Sequence, residues 1–405
     1  MKILLSAYAC RPGRGSEPGI GWNWARTLAE RHEVHVLTAE WNRAPVEAEL
    51  ARNPGANPVL HYVPTIWSRA RLHLAGWVRY YYWQWRAYRR AKALHAEQHF
   101  DLAHHITYGT WRAPCFLWRL GIPLIWGPVA GLENVPHGFG RALGWRGRIY
   151  ESIRHLFQAL SHLDPLVHAT MKHAAAIVAA NSISYSFFAH RYPQKCALLS
   201  AVGMVPSAPV PEKREAVEQT HILWAGRLEA RKALPLLLGA LALSAQREKF
   251  HLRVFGDGPE RGRWEKLASK LGLQGQVIFE GQVPRARLLR YYQEADVFAF
   301  TSIRDSGGFV LLEAMTAGLP IACVNWAGPG DITTDACAIR VDPKTPNQVT
   351  TDLAAALERL AADATLRATM GAEGRERVAH AYAWCAKIPE IERIYKNVLH
   401  SRDCT

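Results

Sequence analysis

The sequence predicts an α/β chain of two domains, each a doubly wound parallel sheet, on three observations. Short apolar and β-branched runs alternate with helical patterns along the chain, which is the rhythm of strand–helix–strand units. The runs are continuously apolar, as strands buried on both faces are. A stretch rich in proline and charge separates them into two sets, and 405 residues suit about two domains.

The first set reads KILLSAY, HEVHVLTAE, PVLHYVP, DLAHHIT, PLIWGPV and AAIVAAN, which places a domain at 1–205. The stretch 206–220 reads as a linker. The second set, HILWAGR, HLRVFGDG, QVIFEG, DVFAFTS, PIACV and ACAIRVD, places a second domain at 221–384. From Trp384 onward the pattern is helical with no strand after it, so 385–405 either ends that domain or crosses back onto the first.

Apolar residues make up 49% of the chain, enough for a large core. Seven cysteines, an odd number with no C-x-x-C pair, argue against a disulfide framework or a structural zinc site and fit a reducing cytosol. The opening MKILLSAYACRPG is too short an apolar run for a signal peptide, and no long uninterrupted apolar stretch follows. The expectation is a protein of the cytoplasm, in solution or on a membrane surface. A net charge of +14 points to anionic partners without choosing among nucleotides, lipid headgroups, lipid diphosphates and nucleic acid.

In open α/β sheets ligands bind beyond the carboxyl ends of the strands, so the loops there carry the candidates. After the first strand, Gly13, Gly15, Gly19 and Gly21 lead into a helix whose amides could meet a phosphate. Their spacing is not the dinucleotide G-x-G-x-x-G, although Glu40 follows the second strand where a nicotinamide-nucleotide ribose would sit. On the first half alone, a nicotinamide enzyme and a loop without ligand both stay open. Arg227 and Lys232 follow the first strand of the second half and suit a diphosphate. Gly256 and Gly281 close later strands. In TSIRDSGGFVLLEAMTAGLP, Gly307 and Gly308 let helix-terminal amides approach an anion, with Asp305 beside them and Glu313 a turn or so into the helix. A diphosphate on the amides, a ribose on Glu313 and a sugar on Asp305 would together make one nucleotide-sugar. The plainer alternative is a helix-capping Asp305 and a solvated Glu313.

These residues resemble the retaining glycosyltransferases of family 4, over nearly the whole chain. ILWAGRLEARKALPLLLGAL looks like the family's G-R-x4-K segment, and DSGGFVLLE has the spacing of its E-x7-E motif. The match continues through EAMTAGLPIACVNWAGPGD. The resemblance implies the GT-B fold, two Rossmann-like domains facing across a cleft, with the last helix returning to the N-domain. It also implies Arg227 and Lys232 on the donor diphosphate and Glu313 on the ribose. The amides near Gly307, Gly308, Phe309 and Val310 would serve diphosphate and sugar, and Asp305 the sugar hydroxyls. The Gly15–Ser16 loop would reach the phosphates, and one of His104 and His105 would lie near the reacting sugar. Where the family has Glu, an aromatic and Gly-Gly, this chain has Asp305, Gly307 and Gly15–Ser16.

The implied reaction is sugar transfer with retention from a UDP- or GDP-sugar, without cofactor or metal, since no Asp-x-Asp site stands out. The acceptor would be a saccharide or lipid-linked saccharide in cell-surface polysaccharide, lipopolysaccharide or glycolipid assembly. WGPVAGLE (126–133) would wall its side. A basic aromatic stretch at 66–94, with Trp77, Tyr80, Tyr81, Gln84, Trp85 and Tyr88 at helical spacing, could lie on an anionic membrane at the inner face of the cell. Its alternative is an aromatic face buried on the sheet. No nucleic-acid-binding motif is visible. A disaccharide phosphorylase or synthase of the same fold, and a non-catalytic basic lipid- or nucleotide-binding module, are the competing readings.

Overall fold

A computed structural model describes residues 1–55, 57–65, 73–205 and 219–403. Among them the chain forms two compact units, each around a parallel sheet. The first sheet contains β1 (Lys2–Ser6), β2 (Glu33–Ala39), β3 (Val59–Val63), β4 (Leu102–His105), β5 (Leu124–Val129), β6 (Ala176–Ala179) and β7 (Cys196–Leu198), in the order β3-β2-β1-β4-β5-β6-β7. The second contains β8 (Thr220–Ala225), β9 (Phe250–Phe255), β10 (Val277–Gly281), β11 (Val297–Phe300), β12 (Ile321–Val324) and β13 (Ala338–Val341), in the order β10-β9-β8-β11-β12-β13. Both orders reverse beside their first strand, which is the doubly wound pattern. The two α/β sheets are those the sequence predicts, apart from β7. Three residues, CAL, are too short to register as an apolar run.

Every residue of β4, β5, β6, β11 and β12 is buried, the physical counterpart of their unbroken apolar runs. The first core gathers Tyr80, Trp83, Trp111, Trp126 and Phe188, and the second Trp224, Leu237, Phe250, Trp264 and Leu357.

The helix His73–Gln98 carries the aromatic stretch, of which 66–72 lie outside the described residues. Tyr80, Trp83, Gln84, Ala87, Ala91 and Leu94 are buried, and Trp77 and Tyr81 pack against the same cluster. The i, i+3, i+4 aromatic face therefore belongs to the core, as in the alternative of an aromatic face buried on the sheet. Trp85 is exposed and lies under the Arg89 guanidinium, 5.0 Å from its ring.

The units do not follow chain order. Residues 133–155 group with the second unit, although they fall within the domain expected at 1–205. Phe139 and Leu143 share a buried cluster with Leu236, Ile303, Val324 and Val349, and the Trp326 indole donates to the Asn134 carbonyl over 2.8 Å. The helix Trp384–Asp403 groups with the first unit. There Trp384 meets Trp24 edge to face, Lys387 donates to the Ser200 carbonyl over 2.6 Å and Glu392 bonds His32 over 2.9 Å. Most of the expected linker, 206–218, lies outside the described residues.

Candidate functional site

In the second unit the reversal of strand order falls between β8 and β11, and the loops after these strands carry the expected donor residues. The loops are stitched together. Thr301 Oγ1 donates to the Lys232 carbonyl over 2.8 Å and accepts from the Trp224 indole over 3.1 Å. The Ile303 amide donates to the Arg231 carbonyl over 3.0 Å. At the end of β9, Gly256 holds φ +118°, and a Cβ there would sit 2.0 Å from the Gly226 carbonyl oxygen. Only glycine permits this close approach. Its amide donates to the Gly281 carbonyl over 2.8 Å.

Arg227 projects into solvent, 71% exposed, with Glu229 3.1 Å from it. Lys232 is buried and its ammonium is paired with the Asp305 carboxylate. Arg231 stands 3.8 Å from the same carboxylate and donates to the Arg304 carbonyl over 3.0 Å. The other Asp305 oxygen accepts from the amides of Gly307 and Gly308, at 3.3 and 3.4 Å. Burial would raise this carboxyl, but Lys232, Arg231 and the amides outweigh it and bring it down to about 2. Burial pulls the Lys232 ammonium below its usual range, opposed by Asp305. The pair as a whole holds Asp305 ionised.

Gly308, at φ +62°, caps the helix Phe309–Thr316, whose Phe309 and Val310 are half-buried. One turn on, Glu313 is buried, with Arg285 3.0 Å from one oxygen and the Tyr292 hydroxyl 3.3 Å from the other. Burial raises its carboxyl, with Arg285 and Tyr292 opposing. The solvated Glu313 of the plainer alternative is thus not what folds. Sequence reasoning missed Arg231, Arg285 and Tyr292. Arg231 had a signal in its place beside Lys232, but the other two come from a helix, Arg285–Glu294, that only tertiary packing brings to Glu313.

In the first unit the order reverses between β1 and β4. Gly15 precedes the helix Ser16–Ala29, and no side chain caps that helix. Ser16 holds φ +60°, a conformation in which glycine is easier. Glu17, not expected from the sequence, accepts from the amides of Tyr108 and Gly109 at 2.6 and 3.1 Å and ties this helix to the loop after β4.

His104 and His105 are both fully buried. His104 bonds the Tyr395 hydroxyl at 2.6 Å and the Gly127 carbonyl at 2.7 Å. His105 bonds the Tyr80 hydroxyl at 3.1 Å and Ser6 Oγ at 3.0 Å. Burial lowers them to about 4 and about 3. Both ring nitrogens of each are engaged by protein groups, so each is a hydrogen-bonded interior histidine.

Among the described residues no group of three or more His, Cys, Asp and Glu side chains could hold a metal ion.

Residues 210–377 match the family described as Glycosyl transferases group 1. An uncharacterized glycosyltransferase of Methanocaldococcus jannaschii is 29% identical over 180 residues, 44% of this chain and 45% of that protein. The chain thus spans less than half the length of the first curated relatives it matches. Two solved structures share the two-domain GT-B fold. Sucrose-phosphate synthase of Thermosynechococcus elongatus superposes with a TM-score of 0.67 at 19% identity, over 99% of both chains. Anabaena HepE in complex with UDP gives 0.62 at 15% identity, over 100% of both.

Proposed function

We propose that the protein is a glycosyltransferase that takes a sugar from a nucleotide-sugar, UDP- or GDP-linked, and passes it with retention to a saccharide or lipid-linked saccharide of the cell surface. The reading rests on the juxtaposition of Lys232, Arg231 and Asp305 with the start of the helix Phe309–Thr316 and with Glu313 one turn on. The family match of this region supports it, as does UDP bound to a protein of the same fold.

In this reading the diphosphate takes the Lys232 ammonium, Arg227 closes on it from solvent, and the amides at Gly308 and Phe309 receive its oxygens. Losing Lys232 to the phosphate frees Asp305 to accept hydrogen bonds from sugar hydroxyls. Glu313, exchanging a contact with Arg285 for one with ligand, accepts from the ribose hydroxyls. As the sugar–phosphate bond breaks, Lys232, Arg227 and the amides stabilise charge growing on the leaving diphosphate, as preorganised dipoles do. Two cations and a helix terminus would make a divalent ion unnecessary. The acceptor hydroxyl enters on the face the phosphate leaves and gives its proton to the departing phosphate oxygen.

The test is a thermal-shift screen with UDP, GDP, ADP and their sugars, with Glu313→Ala as control. One nucleotide should raise Tm by mass action, and the shift should shrink in the variant. No shift with any nucleotide, from protein with a cooperative melt, would overturn the reading.

A further inference from the structure

The helix Gly144–Ser161 is built inside out. Its protein-facing side carries Gly147, Glu151, Arg154 and Gln158, at i, i+4, i+7 and i+11, all buried. This polar seam is fully engaged. Glu151 accepts from Arg154 at 2.8 Å and pairs with Arg304 at 2.9 Å. Arg154 donates to Asn134 Oδ1 over 2.7 Å and Gln158 to the Gly131 carbonyl over 2.9 Å. The opposite side carries Trp145, Ile149, Ile153, Leu156 and Leu160, and Leu163 continues the line. All are exposed, from 49% at Ile153 to 77% at Leu163.

A surface helix ordinarily turns its apolar stripe to the core and its polar face to water. Single exposed apolar side chains need no explanation, but a contiguous row marks an interaction surface. The charges nearby say which kind. Between Asn134 and Leu163 the sole acidic residue is Glu151, and both guanidinium partners hold it inside. Arg141, Arg146 and Arg148 are exposed on or just before the helix.

We propose that this helix docks the protein on an anionic lipid surface, with the apolar row at the acyl boundary and the exposed arginines among the headgroup phosphates. That is how an amphipathic interfacial helix binds. No described helix is long and apolar enough to cross a membrane, so the contact is one of lying on the surface. A second copy of the chain fits less well, because it would bring a second face of the same basic charge against this one. Arg304, the ion-pair partner of Glu151, directly precedes Asp305. The docked helix would therefore hold the candidate donor loop near the lipid surface. The docking itself does not depend on the sugar-transfer reading, and its test contains no sugar.

The experiment is co-sedimentation of the full chain with vesicles of phosphatidylcholine alone and of phosphatidylcholine with phosphatidylglycerol. Binding to the anionic vesicles should exceed binding to the neutral ones and should fall as salt is raised. The double substitution Ile153→Glu with Leu160→Glu should weaken binding about tenfold or more while leaving the melt unchanged, since both side chains are exposed. Arg146→Glu with Arg148→Glu should remove the anionic preference, and Trp85→Glu, on the helix His73–Gln98, should change nothing. Undiminished binding of the first double variant would overturn the proposal. So would a wild-type chain that ignores both vesicle types and is instead a dimer in light scattering, dissociated by the same substitutions.

Discussion

Asp305 and Lys232 form a largely buried pair whose partners depend on each other. Removing Lys232 leaves Asp305 charged with only Arg231 and two amides beside it, and breaking such a pair from one side loses about 3 to 5 kcal/mol in typical cases. Lys232→Met alone should therefore destabilise strongly. The double variant with Asp305→Asn should recover part of that, and a fully additive urea-unfolding cycle would show the two do not interact. The pair also predicts a pH response. Asp305 is held down at about 2 in the folded chain, against about 4 when unfolded. Its contribution is complete above about pH 4 and disappears as pH falls toward 2, amounting to about 2 kcal/mol. Unfolding of wild type and Asp305→Asn between pH 2 and 5 should diverge over that window. Parallel curves would mean the carboxylate is not held down by its partners.

At the scale of elements, the helix His73–Gln98 turns an aromatic row inward and the helix Gly144–Ser161 a polar one. The aromatic row of the first is core. Trp83 is fully buried and Trp85, two residues on, is 45% exposed. Trp83→Ala should cost about 3 to 5 kcal/mol through lost burial and a residual cavity, whereas Trp85→Ala should stay within about 0.5 kcal/mol. Chemical denaturation of both variants checks this, and equal costs would place the wrong face inward. Periodicity identifies a stripe but not the side on which the sheet lies. For the first helix the aromatic stripe is also the apolar one and packs on β-strands. For the second the polar seam finds an ion-pair partner inside at Arg304, far away in the chain, and a hydrogen-bond acceptor at Asn134.

At the scale of the whole molecule, the last helix is held to the first unit by groups from distant parts of the sequence. One is expensive to keep there. Lys387 is buried, and burial lowers its ammonium to about 7. Between pH 7 and the unfolded value near 10.5 the unfolded chain binds more protons than the folded one, so this group makes stability rise with pH across that range and opposes folding most fully below 7. Lys387→Met, similar in length and without a charge to bury, should stabilise at pH 6 and flatten the rise above 7. Melting curves from pH 6 to 10 test it. A variant that loses stability at every pH would mean that the bond to the Ser200 carbonyl outweighs the burial.

The sequence by itself determined the two parallel sheets, because a strand covered on both faces must be apolar throughout, and that is a local signal. It also determined which loops follow the strands, so Arg227, Lys232, Asp305, Gly308 and Glu313 could be named as one candidate set. Only the tertiary structure decided what those groups touch. That Lys232 pairs with Asp305, that Arg285 and Tyr292 hold Glu313, and that Tyr395 reaches His104 are contacts between residues 21 to 291 positions apart, and no periodicity encodes such a meeting. The histidines of β4 show the limit most clearly. Their chemistry suits a catalytic site, and only the folded chain shows that their partners are the Tyr395 and Tyr80 hydroxyls on two helices, Ser6 on β1 and the Gly127 carbonyl on β5.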